Sequence, residues 1–509
     1  MPKATLRVAV KPLLLPEEMA AADRAAIGHG TPTELLMDRA GRAVARTVIR
    51  LAGGRYGRRV AVVCGKGNNG GDGFVAARIA RREGLAVRCL FVGDRSEVKG
   101  AARHHLDLMD RTGVTLEKFH VDPLRDAHVI VDALFGTGFK GRAGGAAATA
   151  IASINEAAAP IVAVDIPSGV DGSSGAVDGP AVKATATVAM AAMKVGTAVG
   201  AGAVHAGTTE VVDIGIPVRG ARLWLAESSD VASVLPRRRP DSHKRSNGAV
   251  ALLGGSSGMS GAVVLAARAA VRAGAGYATA GVTAAVEPIV SGAVPEVLTH
   301  TVTTEQALGP EALDEFKPVL ERADVLAIGP GLGTGSRQTE LVVEAIKLVE
   351  VPLLIDADGL NVLVGRTDEL SARSAPAVVT PHPAELARLL ECSTDEVQAD
   401  RLHAVHTAAA KLSCVVVLKG HRTLIGDPSG KVVVNPTGGP ELATAGTGDV
   451  LTGIVAALLA AGTDPFLAAV AATYIHGLAG SVAVKRIGET GVLAGDVAES
   501  VPAAVARLR

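Results

Sequence analysis

The sequence predicts an α/β protein of two domains, each built on a parallel sheet. Three observations carry that prediction. Short Val/Ile-rich runs alternate with longer Ala-rich stretches along almost the whole chain, the rhythm of repeated strand–helix units. At 509 residues the chain is too long for one ordinary core. Residues from about Ile216 to Gly248 interrupt the rhythm, and LPRRRPDSHKRS at Leu235–Ser246 is polar, with two prolines, as linkers often are. The boundary is placed between residues 226 and 227, giving domains 1–226 and 227–509.

Hydrophobic residues make up 48% of the chain and charged residues 20%, which indicates a folded protein rather than a disordered one. Lysine plus arginine equals aspartate plus glutamate, 51 against 51. That balance speaks against a nucleic-acid or acidic-membrane surface as the main business of the protein. Seven Phe, three Tyr and one Trp leave little for base stacking. Cys64, Cys89, Cys392 and Cys414 contain no Cys-x-x-Cys pair, so neither a zinc site nor a disulfide framework is expected. Cys64 and Cys414, in or beside apolar runs, read as small buried hydrophobes. The N-terminus has no long apolar region, so neither a signal peptide nor a membrane span is expected, and the location is expected to be cytoplasmic. No tandem repeat is visible.

In the first half the strands are expected at Arg59–Cys64, Ala86–Val92, Val129–Asp132, Ile161–Asp165 and Ala186–Met190. The first ends in Gly65-Lys66-Gly67-Asn68-Asn69-Gly70, which satisfies G-x-G-x-x-G and opens a helix expected at Phe74–Glu83. On that pattern alone a dinucleotide-binding turn, with Asp94 as ribose partner, is one reading. The continuation Asn68-Asn69-Gly70-Gly71-Asp72-Gly73 is unusual for it, because two amides and a carboxylate stand where apolar residues normally pack helix on strand. Those groups suit a cation or a polar ligand; a tight loop capped by its own Asn and Asp is the plainer alternative. Two further clusters, VDALFGTG at Val131–Gly138 and VDIPSGVD at Val164–Asp171, place an aspartate where a strand ends. A lone strand-end aspartate is often a helix N-cap. Parallel strand ends share one edge, however, and ligands bind there.

In the second half strands are expected at Ala249–Gly254, Val325–Ile328, Pro352–Asp356, Ala377–Thr380 and Cys414–Lys419. Near the C-terminus NPTGGP at Asn435–Pro440 leads to Ala445-Gly446-Thr447-Gly448-Asp449 and an apolar helix expected at Val450–Ala461. Small residues before a helix let backbone N–H groups close around an anion. No G-x-x-x-x-G-K-[ST] occurs, so this is not a P-loop. Asp449 stands where a base beside a transferring phosphoryl group is useful, although a glycine-rich turn with a dipole-favoured aspartate explains this segment equally well. GPGLG at Gly329–Gly333, DADGLN at Asp356–Asn361, TPHPAE at Thr380–Glu385 and LKGH at Leu418–His421 also follow strands. His382 between prolines belongs to an extended turn, and Lys419 reads either as a solvated strand end or as a cation near phosphates.

GNNGGDG, VDALFGTG and DIPSGVDGSSG, with LLMDRAG upstream at Leu35–Gly41, resemble the epimerase domain of the NAD(P)H-hydrate repair enzymes over roughly residues 10 to 215. The resemblance implies a Rossmann-like three-layer sandwich that epimerises hydrated NADH and NADPH. It implies that Asn68, Asn69, Gly70, Gly71 and Asp72 contact the hydrate. It extends the same role to Gly136, Thr137, Gly138, Phe139, Lys140, Gly141 and Arg142. Asn69, Asp132 and Ser168 would ligate a potassium ion, and Asp165 would sit at the reacting carbon. Such oxygen ligands suit a hard cation rather than zinc. Independently of any family, the ring nitrogen of a hydrated nicotinamide can expel a neighbouring hydroxyl if an acid protonates it, and water can return to the other face; a carboxyl group could serve.

The second set of motifs resembles the ribokinase-like fold, and within it the NAD(P)H-hydrate dehydratases, over about residues 240 to 505. By that resemblance Lys419, Gly420, His421, Arg422 and Thr423, with Gly439, Ala445, Gly446, Thr447 and Gly448, would hold ADP. Gly261, Gly333, His382 and Asp449 would contact the hydrate, with Asp449 taking the hydroxyl proton and Mg2+ accompanying the nucleotide. HKRSNG departs from the family at Arg245, where a glycine is common. The implied partners are small molecules, hydrated NADH or NADPH and ADP, with no nucleic acid and no membrane, and a homo-oligomer is expected. A vitamin-pathway kinase fused to a Rossmann-like binding module is the competing reading, and a non-catalytic first half is another.

Overall fold

The β-branched runs Arg59–Cys64, Ala186–Met190 and Val325–Ile328 form strands over the residues expected. The other expected strands differ by one residue at an end or at both, for a local reason. Ile161–Val164, for example, stops before Asp165 because that residue turns into the left-handed region, at φ 67°. The computed structural model describes residues 11–303 and 307–509. It divides into two compact units, Lys11–Leu223 and Trp224–Arg509.

In the first unit a seven-stranded, wholly parallel sheet runs Leu116–Lys118, Ala86–Phe91, Arg59–Cys64, Val129–Ala133, Ile161–Val164, Ala186–Met190, Thr208–Val212. Alternation along the strands feeds two cores. Val60, Val62 and Cys64 pack with the helices Thr33–Leu51, Asn68–Arg82 and Gly100–Asp110. Ala61 and Val63 pack with the helix Gly145–Glu156 on the other face. The result is a three-layer sandwich. Its strand order reverses between Arg59–Cys64 and Val129–Ala133, so a crevice opens outside their carboxyl ends.

The helix after Arg59–Cys64 starts at Asn68, not at Phe74, so the polar GNNGGDG run is helix rather than loop. Its glycines allow close packing. A Cβ on Gly70 would stand 1.8 Å from the Gly65 carbonyl oxygen, and one on Gly73 would stand 2.7 Å from Ala133 Cβ and Cys64 Sγ. The glycines thus press the helix onto the sheet while Asn69 and Asp72, three apart, share a face. Asp94 caps a short turn instead of waiting for a ribose, its Oδ1 accepting from Ser96 N–H at 2.8 Å.

In the second unit the parallel strands run Leu298–Val302, Tyr277–Thr283, Ala249–Leu253, Val325–Ile328, Leu353–Ile355, Ala377–Val379, Val415–Leu418. Leu424–Gly426 and Val432–Val434 then add antiparallel. The order reverses between Ala249–Leu253 and Val325–Ile328. One face is covered by the helices Ser260–Arg272, Thr447–Ala460, Pro465–Ile487 and Ala494–Ala506. Pro465–Ile487 is long and apolar enough to cross a membrane, yet it is a core helix, with Ala468, Ala471, Ile475 and Ala479 all buried. Leu235–Ser246 lies within this unit rather than ahead of it, and Arg245 sits in a turn before Ala249–Leu253, at the opposite strand end from GGSSGMSGA at Gly254–Ala262, the segment that carries Gly261. Among the described residues all four cysteines are free thiols, with Cys64, Cys89 and Cys414 buried.

Candidate active sites

At the first crevice a cavity of about 800 Å³ opens over the strand ends. It is lined by Asn68, Asn69 and Asp72 from the glycine-rich helix, by Gly136, Thr137, Gly138, Phe139 and Lys140 from the next loop, and by Asp165. Gly70 and Gly71 pack behind this lining, and Gly141 and Arg142 are not part of it; the Arg142 side chain lies against Gly179. The Phe135 and Phe139 rings stack with centroids 4.8 Å apart, an apolar wall suited to a flat heterocycle.

Asp132, Ser168 and Asn69 converge below the cavity. The Asp132 carboxylate is fully buried, accepts from Ser168 Oγ at 2.6 Å and from Ser168 N–H at 2.8 Å, and is pushed up to about 6 by burial against those hydrogen bonds. Asn69 Nδ2 donates to the Phe135 carbonyl at 2.8 Å. One carboxylate with hydroxyl, carbonyl and amide oxygens is a hard donor set carrying a single formal charge, a fit for a monovalent cation.

Sequence reasoning missed Asp23 and Lys194, which also line the cavity. Asp23 lies on the helix Pro16–Gly28, where no motif marks it. Lys194 had a readable signal, because it follows the Ala186–Met190 strand end in MAAMKVG just as Asp165 follows Ile161–Val164.

At the second crevice the helix carrying Asp449 begins at Thr447, after Gly446 in a left-handed conformation at φ 90°. Gly446, Thr447, Gly448 and Asp449 are therefore the cap and first turn; the Thr447 N–H donates to the Thr444 carbonyl at 3.3 Å, and those of Gly448 and Asp449 are left for an anion. Asp449 is raised to about 7 by burial and then by the charge of Asp356, with Lys419 opposing. Lys419 is not a solvated strand end. Its Nζ donates to the buried Asp356 Oδ1 at 2.9 Å and lies 3.7 Å from Glu385 Oε2. Thr452 Oγ1 gives Asp356 Oδ2 a second bond at 2.6 Å. His382 Nδ1 caps its helix by accepting from the N–H groups of Ala384 and Glu385 at 3.1 and 3.3 Å. Burial, followed by Lys419, holds the ring below its ordinary value, hence neutral.

The remaining expected residues fall around this edge. The Gly333 N–H is bound to Asp358 Oδ2 at 2.9 Å. Gly261 opens a helix, with nothing within 4 Å of where its Cβ would be. Gly420 lies against the Arg401 guanidinium, which donates to the carbonyls of Leu418 and Lys419 at 3.2 Å. His421, Arg422 and Thr423 continue the same turn, with Arg422 at φ 56°. The Gly439 N–H is held by Glu441 Oε1 at 3.1 Å, and Ala445 is exposed just before the helix cap.

Comparison with known proteins joins the two sites. The NAD(P)H-hydrate dehydratase family model matches residues 250–503, and that of the YjeF-related protein N-terminus matches residues 33–196. The bifunctional NAD(P)H-hydrate repair enzyme of Moorella thermoacetica is 41% identical over 507 residues, 96% of each chain. That of Coxiella burnetii is 38% identical, over 93% of this chain and 95% of its own. A ribokinase-like superfamily protein of Enterococcus faecalis, 27% identical, covers 57% of this chain and 98% of its own at a TM-score of 0.50. An ADP/ATP-dependent NAD(P)H-hydrate dehydratase of Bacillus subtilis, co-crystallised with ATP and Mg2+, is 30% identical over 56% of this chain and 98% of its own, at a TM-score of 0.49. With relatives matched along both units, a vitamin-pathway kinase fused to a binding module is not favoured. The chain belongs to the bifunctional NAD(P)H-hydrate repair enzymes, which join an epimerase to a dehydratase.

Proposed function

We propose that the two crevices divide the repair between them. The cavity holding Asp165 interconverts the R and S hydrates of NADH and NADPH, and the Asp449 site dehydrates the S form with ADP, leaving AMP and phosphate. Asp449 carries this reading, as a carboxyl group raised to about 7 in the first turn of an anion-binding helix. A base poised near the working pH is efficient, because it is ionised yet still basic. It takes the proton of the substrate hydroxyl while that oxygen attacks the terminal phosphorus of ADP. The C–O bond then breaks, phosphate departs with the oxygen, and loss of a proton from the neighbouring carbon restores the dihydronicotinamide.

The first turn at Gly446–Gly448, with Gly439 and the Lys419–Thr423 turn, would bind the diphosphate. Gly261, Gly333 and His382 would bound the hydrate. Mg2+ would arrive on the nucleotide phosphates and screen their charge; among the described residues no three His, Cys, Asp or Glu side chains form a metal cluster. In the epimerase unit Asn69, Asp132 and Ser168 would hold potassium and so fix the loop that bounds the hydrate. The partners are small molecules, and the enzyme is a soluble one of the cytoplasm. The test is purified protein with hydrated NADH. Recovery of dihydronicotinamide absorbance should require ADP and should consume both epimers. Equal recovery without nucleotide would remove the phosphoryl-transfer route.

A further inference from the structure

Lys194 is fully buried, and its three donors are all taken. Nζ donates to Asp165 Oδ1, to the Met190 carbonyl at 2.8 Å and to the Ala192 carbonyl at 3.1 Å. The Met190 N–H also donates to Asp165 Oδ1, at 2.9 Å. Both donors fall on one oxygen, so Oδ2 is the one left for a ligand. A buried ammonium without its carboxylate would be costly, so Asp165 is the counter-charge that Lys194 requires. Asp165 is further fixed by its left-handed backbone at φ 67°, strain of a kind that clusters at functional sites. A carboxylate anchored by a cation is suited to act as a base rather than as a proton donor.

Epimerisation also needs a donor. Hydroxide leaves badly unless protonated, and the departing and returning oxygens occupy opposite faces of the ring carbon. Asp72 lines the same cavity from the glycine-rich helix, and its carboxyl group makes no hydrogen bond among the described residues. The charged groups around it are Asp165, Lys194 and Asp23, with the Lys66–Glu97 pair and Lys140 on the cavity rim. Burial, then the charge of Asp165, holds Asp72 well above the usual carboxylate range, with Lys194 opposing. Asp72 and Asp165, two of the carboxyl groups that line the cavity, sit in unlike surroundings, the second held by Lys194, and this separates the roles of acid and base.

We propose that Asp72 is a second catalytic residue of the epimerase site, the acid that protonates the departing hydroxyl, and that Lys194 is the positioning residue that anchors Asp165 as the base. This rests on the reading that Asp165 acts at the reacting carbon. The Asp72 carboxyl gives its proton to the hydroxyl oxygen, and the C–O bond breaks to release water. The ring-nitrogen lone pair forms the C=N bond. Water adds to the opposite face and its proton passes to Asp165. Asp72 is then ionised and Asp165 protonated, the state that runs the reverse reaction, and exchange with solvent resets the pair.

The experiment uses full-length protein and one purified epimer of hydrated NADH, with ADP omitted and potassium fixed, and follows the other epimer by chromatography across pH. Asp72→Asn, which preserves shape, should lower kcat roughly 10²-fold or more and abolish the fall in rate at alkaline pH. Lys194→Met should move the acid limb to higher pH, because Asp165 loses its cation, and Lys194→Arg should move it less. Wild-type kcat in Asp72→Asn, or an alkaline limb that survives there, overturns Asp72 as the acid. An acid limb unmoved in Lys194→Met, or in Lys194→Arg should the methionine variant not fold, leaves the lysine merely structural and overturns its assignment. Asp165→Asn separates the two readings: wild-type epimerisation in that variant sinks Asp165 itself, whereas its loss beside an active Asp72→Asn sinks only the present proposal.

Discussion

Replacing Asp449 by asparagine separates binding from chemistry at the dehydratase site. The substitution keeps size and a hydrogen-bonding oxygen, so the Thr447–Ala460 helix and its free N–H groups should persist. ADP affinity, measured by calorimetry, should hold or tighten, since a negative charge leaves the phosphate end of the helix. Turnover should fall roughly 10²-fold or more. The wild type offers an internal control in its pH dependence. With Asp449 raised to about 7, only the ionised form can accept the hydroxyl proton. One unit below that value about a tenth of the enzyme is active, so kcat should drop about tenfold there and level off above it. Stability should run the other way. A carboxyl raised in the folded state favours folding below its unfolded value of 3.8, and that contribution is lost as pH rises through about 7. About three units at 1.36 kcal/mol each, discounted for partial exposure, make the cost of ionisation some 2–4 kcal/mol, to order of magnitude. Asp449→Asn should therefore melt higher than wild type at alkaline pH and lose that advantage in acid. Normal turnover in the variant, or a wild-type rate flat through neutrality, would refute the role of Asp449 as base. Loss of nucleotide binding together with turnover would mean that Asp449 mainly shapes the turn.

Other consequences can be checked separately. A fragment starting near Glu227 should keep ADP-dependent dehydration of the S hydrate, measured by absorbance recovery, because every residue proposed for that step lies beyond it. Replacing potassium with a large organic cation should slow epimerisation and lower the melting temperature of the first unit, read by calorimetry, with dehydration of the S form unchanged. Gly73→Ala should destabilise that unit by about 1–3 kcal/mol, seen in denaturant midpoints, because its Cβ would stand 2.7 Å from Ala133 Cβ and Cys64 Sγ in a filled core.

The central strands were legible because Val- and Ile-rich runs buried on both faces carry their own signal, as at Arg59–Cys64 and Val415–Leu418. Strands with less of that signal escaped. Leu116–Lys118 is only half-buried at a sheet edge, and Tyr277–Thr283 reads YATAGVT, mixing Ala and Gly with its β-formers. The glycine-rich helix start was misread for a physical reason. Glycine is unfavourable inside helices, so GNNGGDG argues for a loop until the neighbouring atoms show why nothing larger fits. Asp132, Asp165 and Asp449 were readable as strand-end or helix-start carboxylates, whereas Asp23 sits on a helix of ordinary composition. What no one-dimensional pattern could give was that Lys194 and Lys419 turn inward to carboxylates, because the partners are 29 and 63 residues away in sequence.

Those two lysines point to a shared electrostatic logic. In each unit an aspartate follows a central parallel strand, Asp165 after Ile161–Val164 and Asp356 after Leu353–Ile355. Each is held by an inward-turned lysine, the buried Lys194 and the half-buried Lys419 respectively. Each unit also carries a second aspartate near the start of a glycine-rich helix, Asp72 and Asp449, which burial raises above its ordinary value and the first aspartate raises further. The lysine therefore does two things at once. It compensates the strand-end carboxylate inside the protein, and the charge of that carboxylate in turn makes ionisation of the helix-borne aspartate harder. Removing the lysine would remove part of its own attraction for the second aspartate and strand the first as an uncompensated buried charge. A carboxyl group raised above its ordinary value is then a consequence of sheet topology: the carboxyl ends of parallel strands bring a strand-end acid, a cation and a helix start to one edge. What the helix-borne acid does with its proton is set by the ligand each crevice admits, a water exchanged at a ring carbon in one and a phosphoryl group in the other.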